Sequence, residues 1–304
     1  MLLLLARRQI QKLGAKFSMA GHAIKETIKA GLATWIPSTL ALAGQWLGIL
    51  GLSGFVGSYE AGTYFIGYAI TSGLLAFPIN IVSLMFPVLS GMEDGRKRAM
   101  SEAVRISSAI MYPLAFMLIA YPALVPSFLG EAYLSASASI LILASGFLLT
   151  PLVNGYTYYA YALGKYRDVI LIGLAGNMSR IILYLFLIGR FAETGTAISF
   201  SLGSLFSLPA VILLARKTGY HLNLKEAAKS LSIPLALCIP TLVLNLPPLL
   251  GIPLILTSSY IIYARISIIS KKDLADLATA LLSREALTTI SPYLRPILKI
   301  LYGE

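Results

Sequence analysis

The chain has 304 residues, of which 57% are hydrophobic and 12% are charged, and its mean hydropathy is +0.80. Soluble domains carry charge on roughly 25% of their residues, so this composition excludes an ordinary soluble domain and predicts an integral membrane protein. The formal net charge of +11 does not indicate a nucleic-acid partner, because the basic residues flank apolar segments.

Eight apolar runs follow one another along the chain, and each is long enough for a helix to cross a hydrocarbon core of about 30 Å. We predict spans near 31–51, 59–89, 106–128, 136–161, 169–189, 196–215, 230–246 and 250–269. Asn245, Pro247 and Pro248 separate the last two runs by a tight turn, so these spans are predicted to form a helical hairpin. The predicted fold is all-α, a polytopic transmembrane bundle of about eight helices.

Lysines and arginines gather in alternate connections between these spans. All but two of the 24 lie in the terminal segments or beside the connections after the second, fourth and sixth spans. The exceptions are Arg180 and Arg190, whereas the intervening connections carry Glu60, Glu131 and Glu193. By the positive-inside rule, this pattern predicts a multi-pass protein of the cytoplasmic membrane with both termini in the cytoplasm.

These boundaries divide the chain into five units. We predict a basic cytoplasmic or interfacial segment at 1–30, a six-helix transmembrane lobe at 31–215, a basic cytoplasmic loop at 216–229, a transmembrane hairpin at 230–269 and a cytoplasmic amphipathic segment at 270–304. The last unit begins with Ser-Lys-Lys-Asp, which is typical of a capping box. Its apolar residues share one helical face, so we expect a helix on the inner leaflet, with a solvated tail as the alternative.

The residues that most enzymes of lipid diphosphates use are not grouped in this sequence. Glu93 with Asp94, and Asp273 with Asp276, are acid pairs that we interpret as solvated surface, and His22 and His221 have no acidic or cysteine cluster beside them. Magnesium sites and proton-transfer sites need such groups together. We therefore expect no enzymatic activity, catalytic residue, metal or cofactor.

Arg180 falls near the middle of the fifth predicted span. A charge near the bilayer centre costs roughly 2.5 to 3.5 kcal/mol on insertion scales, so the position calls for a compensating role. Asn177 and Tyr184 share its helical face, and a guanidinium binds phosphate in a forked geometry. We predict that these three residues hold an anionic head group, with snorkelling or a structural bond to helix carbonyls as the alternatives.

A second polar stripe follows the fourth span at helical spacing. It contains Asn154 and Tyr158 together with Thr150, Thr157 and Tyr161. Sugars stack on aromatic rings and form hydrogen bonds with amides and hydroxyls, so Asn154 and Tyr158 are predicted to contact a glycan. The alternative interpretation is an interfacial tyrosine belt.

Four short motifs lie at the span ends: VGSYEAG at 56–62, FPVLS at 86–90, ALGK at 162–165, and Phe191 followed by GTA at 195–197. With these motifs, residues 25–270 resemble the C-terminal half of the polysaccharide-biosynthesis flippases in the multidrug/oligosaccharidyl-lipid/polysaccharide exporter superfamily. The resemblance implies two lobes of twelve to fourteen helices in total, a cationic central cavity and alternating access. One lobe of that plan is present in this sequence. The chain is then a fragment, half of a split transporter or a self-pairing subunit.

The resemblance implies a transporter that moves a lipid-linked oligosaccharide or polysaccharide precursor across the cytoplasmic membrane. Its expected partners are a polyprenyl phosphate or diphosphate glycan, membrane lipids, and either a missing N-terminal lobe or a second copy of the chain. The alternatives are a multidrug or small-molecule exporter of the same superfamily, a membrane-embedded prenyl- or glycosyltransferase, and a membrane scaffold. An aspartate-rich magnesium-binding loop would distinguish the transferase.

Overall fold

The computed structural model describes residues 18–273, and every regular element in that range is helical. The helices are α1 (Ser18–Phe55), α2 (Ser58–Gly91), α3 (Arg96–Ala120), α4 (Leu124–Leu129), α5 (Ser137–Phe147), α6 (Thr150–Ala162), α7 (Tyr166–Thr218), α8 (Leu224–Val243) and α9 (Pro248–Arg265), with a 3₁₀ helix at Glu131–Ala136. The predicted all-α fold is confirmed. The amphipathic helix predicted within 270–304 lies outside the described residues beyond Asp273.

The longest helix, α7, is folded back on itself at Ala192. The backbone of Ala192 has φ 47° and ψ −128°, which is not helical. A Cβ atom at Gly203 would lie 2.9 Å from the Cβ of Arg180, so the residues on either side of Ala192 pack antiparallel. We call residues 166–191 α7a and residues 193–218 α7b.

The described residues supply eight segments that can cross a membrane. Six helices are long and apolar enough to span it, and the pair formed by Glu131–Phe147 and Thr150–Ala162, which is bent by 46°, can supply a seventh crossing. Because the 53-residue α7 is a hairpin, it contributes two crossings instead of one. The prediction of about eight spans is confirmed.

Two predicted span boundaries were wrong. The third span was predicted to reach residue 128, but α3 ends at Ala120, because Pro122 disfavours helical backbone in the residue before it. The fourth span was predicted as one helix, but it is divided between α5 and α6. Pro151 lies in the first turn of α6. Because proline has no backbone N–H, it cannot donate the hydrogen bond that would continue α5 into α6.

Small residues fix the relative direction of α1 and α7a. Cβ atoms placed at Gly44 and Gly48 of α1 would lie 3.4 Å from Cδ of Arg180 and 2.8 Å from Cζ of Tyr184. A Cβ atom at Gly173 of α7a would lie 2.8 Å from Cβ of Pro37. The residue numbers of the contacting pairs increase together along the two helices, so α1 and α7a are parallel. Large side chains of α7a occupy the notches that glycines leave in the surface of α1.

Further contacts indicate the directions of α2, α3 and α5. The α2 helix runs parallel to α5, since Tyr59 lies against Ser135, and Gly67 lies against Ser139. It runs antiparallel to α3, where the Ser107 hydroxyl donates to the Pro78 carbonyl at 2.6 Å. The spans therefore alternate in direction. One end of the bundle holds the start of α1 and the connections 92–95, 163–165 and 219–223, and we call it the basic end because lysines and arginines flank each of these segments.

The α8–α9 hairpin is bonded to α3 near both of its ends. Away from the basic end, the Tyr121 hydroxyl donates to the Leu246 carbonyl at 2.9 Å. Near the basic end, Arg105 donates to the Ile268 carbonyl and pairs with Asp273 at 2.9 Å. These contacts tie the hairpin to the rest of the bundle through α3.

Asp273 is buried, and its prediction as solvated surface was wrong. Its side chain accepts from the backbone N–H of Ser270 at 2.7 Å, while its own N–H donates to the Ser270 hydroxyl at 3.1 Å. The capping box suggested by the sequence is therefore formed. Asp273 also accepts from Arg105, a partner 168 residues away along the chain.

Candidate functional site

A polar cavity of about 410 Å³ lies between α1, α6 and the two arms of α7. Its volume falls within the range of about 300 to 1,000 Å³ that is usual for small-molecule sites. The polar residues that line it are Thr34, Ser38, Thr150, Asn154, Thr157, Tyr158, Tyr161, Asn177, Arg180, Ser204 and Ser207. The cavity runs from Arg180 near the middle of α7a toward Tyr161 and Thr34, which lie nearer the basic end.

Arg180 supplies the charge of this cavity. It is 9% exposed and is the single charged side chain among the described residues of the lining. Its Nη1 donates to Oδ1 of Asn177 at 3.3 Å, and Nδ2 of Asn177 donates to the Gly173 carbonyl at 3.0 Å. Within residues 18–273, Nε of Arg180 has no hydrogen-bond partner and the guanidinium forms no ion pair.

An aromatic cluster supports the guanidinium from α2, α5 and α7b. The guanidinium carbon of Arg180 lies 3.9 Å from the centroid of the Phe200 ring. Tyr68 meets Phe200 edge to face with a centroid separation of 5.3 Å, and Phe147 packs beside it at 5.5 Å. Such a cation–π contact is stronger when its partners are buried, and Arg180 and Phe200 are 9% and 6% exposed.

Four of the five predicted site residues line the cavity together: Arg180, Asn177, Asn154 and Tyr158. Tyr184 is not part of the lining. Its hydroxyl is buried beside the Tyr64 hydroxyl, and its ring packs in the notch that Gly48 leaves in α1. Tyr184 therefore lies one helical turn beyond the cavity, behind Arg180.

The tyrosines of α6 connect the cavity to α1 and α2. The Tyr158 hydroxyl lies against Ser83 of α2, and the Tyr161 hydroxyl lies against Thr34 of α1. Tyr161 also meets the Phe86 ring at a centroid distance of 6.0 Å. Tyr158 and Tyr161 form one wall of the cavity toward the basic end. The glycan contact predicted for Asn154 and Tyr158 stays a prediction.

Sequence reasoning missed the contributions of Phe200, Ser204 and Ser207. All three lie on α7b, and their approach to Arg180 follows from the fold at Ala192, which no local motif marks. The notch at Gly44 had a weak sequence indication, since Gly44, Gly48 and Gly51 recur at helical spacing. Within residues 18–273, no group of three His, Cys, Asp or Glu side chains is arranged to bind a metal.

Comparison with known proteins bears on the fold. No family model and no curated protein matches the sequence. Among solved structures, the chain is similar to the lipid II flippase MurJ in an inward closed conformation, with a TM-score of 0.63 and 14% sequence identity. The match covers 78% of this chain and 55% of that chain, so this chain spans just over half the length of that flippase. The protein is a multi-pass membrane protein with a flippase-like fold.

Proposed function

We propose that the chain is one lobe of a transporter that moves a lipid-linked oligosaccharide or polysaccharide precursor across the cytoplasmic membrane. The observation that carries this proposal is Arg180, a buried guanidinium without a carboxylate partner in the described chain, at the inner end of a polar cavity. The likeness to a lipid II flippase supports the same class of substrate.

The chemistry of Arg180 suits a phosphate or diphosphate group. A guanidinium offers five N–H donors in a planar fork, and the hydrogen bond to Asn177 commits one of them. An anion that enters the cavity would meet a desolvated positive charge, and charge-assisted hydrogen bonds of this kind are stronger than neutral ones. Asn177, which is itself held by the Gly173 carbonyl, would fix the orientation of the fork.

The wall toward the basic end suits the sugar portion of such a substrate. Asn154 and Tyr158 offer amide and hydroxyl groups. The Tyr161 ring, which packs against Phe86, offers an apolar surface on which a sugar ring can stack. In this arrangement the phosphate lies deepest, beside Arg180, and the glycan extends toward the basic end.

We propose that the basic end faces the cytoplasm, as the positive-inside rule predicts. The cavity then opens toward the side on which lipid-linked precursors are assembled. Transport by alternating access requires a second rigid body, which would be an N-terminal lobe or a second copy of this chain. The predicted units at 31–215 and 230–269 would move together, since the hairpin is bonded to α3.

The charge of the site disfavours the alternative functions. An exporter of cationic compounds would need acidic groups in its cavity, whereas the described lining carries Arg180 and no carboxylate. A prenyl- or glycosyltransferase that uses magnesium would need the same carboxylates.

Binding of a fluorescent polyprenyl diphosphate to the purified chain tests the site, and translocation of the glycosylated lipid in proteoliposomes tests transport. We expect Arg180→Gln to weaken binding by about tenfold or more, since it removes a charge-assisted contact. Arg190→Gln is the matched control, because Arg190 lies on the same arm of α7 but is exposed. Equal binding by the wild type and Arg180→Gln, at equal expression, would contradict the assignment.

A further inference from the structure

The guanidinium of Arg180 is enclosed on two sides by groups that do not accept hydrogen bonds. The Phe200 ring lies 3.9 Å from the guanidinium carbon. On the α1 side, a Cβ atom at Gly44 would lie 3.4 Å from Cδ and 3.6 Å from Nη1 of Arg180, so the helix backbone itself approaches the side chain. The guanidinium therefore occupies a narrow slot between α1 and α7b.

A cation at mid-membrane depth needs stabilisation. For Arg180, no carboxylate of the described chain supplies it. Within the described chain, the side-chain amide oxygen of Asn177 and the face of the Phe200 ring contact the guanidinium directly. The hydroxyl groups of Tyr64, Tyr68 and Tyr184 also lie in its surroundings. The attraction between a cation and an aromatic ring grows when water is removed, whereas a hydrated surface pair gains little. Phe200 is thus a principal source of charge stabilisation at Arg180.

The geometry of this stabilisation differs from that of a salt bridge. A carboxylate binds in the plane of the guanidinium and occupies its N–H donors. An aromatic ring contacts the flat face and leaves the in-plane donors available. We propose, on the basis of the function proposed above, that Phe200 is a positioning residue: it stabilises the positive charge of Arg180 at mid-membrane depth and leaves the in-plane N–H donors available for the phosphate of the substrate.

Neighbouring rings hold Phe200 in the required orientation. Tyr68 meets it at an interplanar angle of 73° and a centroid distance of 5.3 Å, and Phe147 packs against it at 45° and 5.5 Å. Phe200 itself is 6% exposed. Because three spans fix the ring, its face is presented to Arg180 before any substrate arrives, which is the condition for preorganised binding.

Stepwise fluorination of the ring separates this role from simple packing. We would replace Phe200 with monofluoro-, difluoro- and trifluorophenylalanine, which withdraw electron density from the ring face with little change in its shape. The affinity for a fluorescent polyprenyl diphosphate in micelles is expected to fall with each fluorine, by about tenfold over the series. Phe200→Tyr should retain affinity within about twofold, whereas Phe200→Leu should lose about tenfold.

Two controls make the series interpretable. The same fluorinated residues at Phe116, which is buried in α3 away from the cavity, should leave binding unchanged. The thermal midpoint should also fall with each fluorine at Phe200 in the wild type, and this trend should vanish in an Arg180→Gln background, where no cation faces the ring.

Each outcome has a defined meaning. Affinity that falls in steps supports the positioning role, and wild-type binding with a flat fluorine series overturns it while leaving the proposed function standing. If the wild type binds the polyprenyl diphosphate no better than the matching neutral polyprenol, both the proposed function and the positioning role fail. A thermal trend that persists in the Arg180→Gln background contradicts the cation–π contact itself.

Discussion

The packing of the α8–α9 hairpin on α3 predicts a strong effect of Gly251→Ala. Alanine is normally favoured over glycine within a helix by roughly 0.5 to 1 kcal/mol. At Gly251, however, the new methyl group would overlap the Tyr121 hydroxyl and lie 2.6 Å from Cζ of Tyr121 and 2.5 Å from Cγ2 of Thr241. The Tyr121 ring would have to move, and its 2.9 Å hydrogen bond to the Leu246 carbonyl would be lost.

Two contributions set the expected size of this effect. Overpacking of a tight contact costs typically 1 to 3 kcal/mol, and loss of a hydrogen bond costs about 1 kcal/mol more. We therefore expect Gly251→Ala to destabilise the protein by roughly 2 to 4 kcal/mol, which corresponds to a fall in thermal midpoint on the order of 10 °C. Tyr121→Phe alone should cost about 1 kcal/mol.

Thermal unfolding of the purified variants in detergent measures these effects. Because Tyr121→Phe removes the overlapping oxygen, the double variant should be destabilised by less than the sum of the two single variants. Gly73→Ala is the control, since no atom lies within 4 Å of a Cβ at that position. A Gly251→Ala protein as stable as the wild type, or additive effects in the double variant, would refute the packing of the hairpin on α3.

Three further predictions concern the fold at Ala192, the C-terminal junction and the orientation. Ala192→Gly should raise stability by about 1 kcal/mol, measured by thermal unfolding, because the φ of 47° favours glycine. Arg105→Gln should lower stability by about 1 to 3 kcal/mol, since it leaves a buried carboxylate unpaired, whereas Arg98→Gln in an exposed pair should change it by less than about 1 kcal/mol. Single cysteines at Lys97 and Glu131 should react with an impermeant reagent from opposite sides of the membrane, and labelling from one side alone would contradict the alternating spans.

The number and approximate positions of the spans could be predicted from the sequence, because the hydrocarbon core of the membrane requires each span to be apolar. A helix must expose apolar side chains over about 20 residues to cross the membrane, and this requirement leaves a mark on each span separately. The turn between α8 and α9 was also predictable, since Asn245, Pro247 and Pro248 act through local backbone chemistry. The end of α3 at Ala120 was missed because the apolar run continues beyond Pro122.

The contacts between spans could not be predicted in the same way. Asp273 was expected in solvent because its local sequence is polar, but its partner Arg105 is 168 residues away. Phe200 is one apolar residue among many in its span, and its approach to Arg180 depends on the fold of α7 at Ala192. The predicted set around Arg180 was drawn from one helix, whereas the cavity combines α1, α6 and both arms of α7.

Helix direction and charge distribution are independent observations that agree. The direction of each span follows from packing contacts, such as those of Gly48 with Tyr184 in the parallel pair α1 and α7a. Two parallel spans must have an odd number of crossings between them, and α2, α3 and the α5–α6 pair lie between α1 and α7a. The starts of α1 and α7a therefore lie at the same end, and the lysines and arginines collect at that end. The cavity extends from Arg180 toward this basic end. Lysines and arginines outnumber acidic residues at this end, and Arg180 is the charged residue among the described residues of the cavity lining. A headgroup that carries phosphate would therefore be attracted first by the net positive charge of the basic end and then by Arg180.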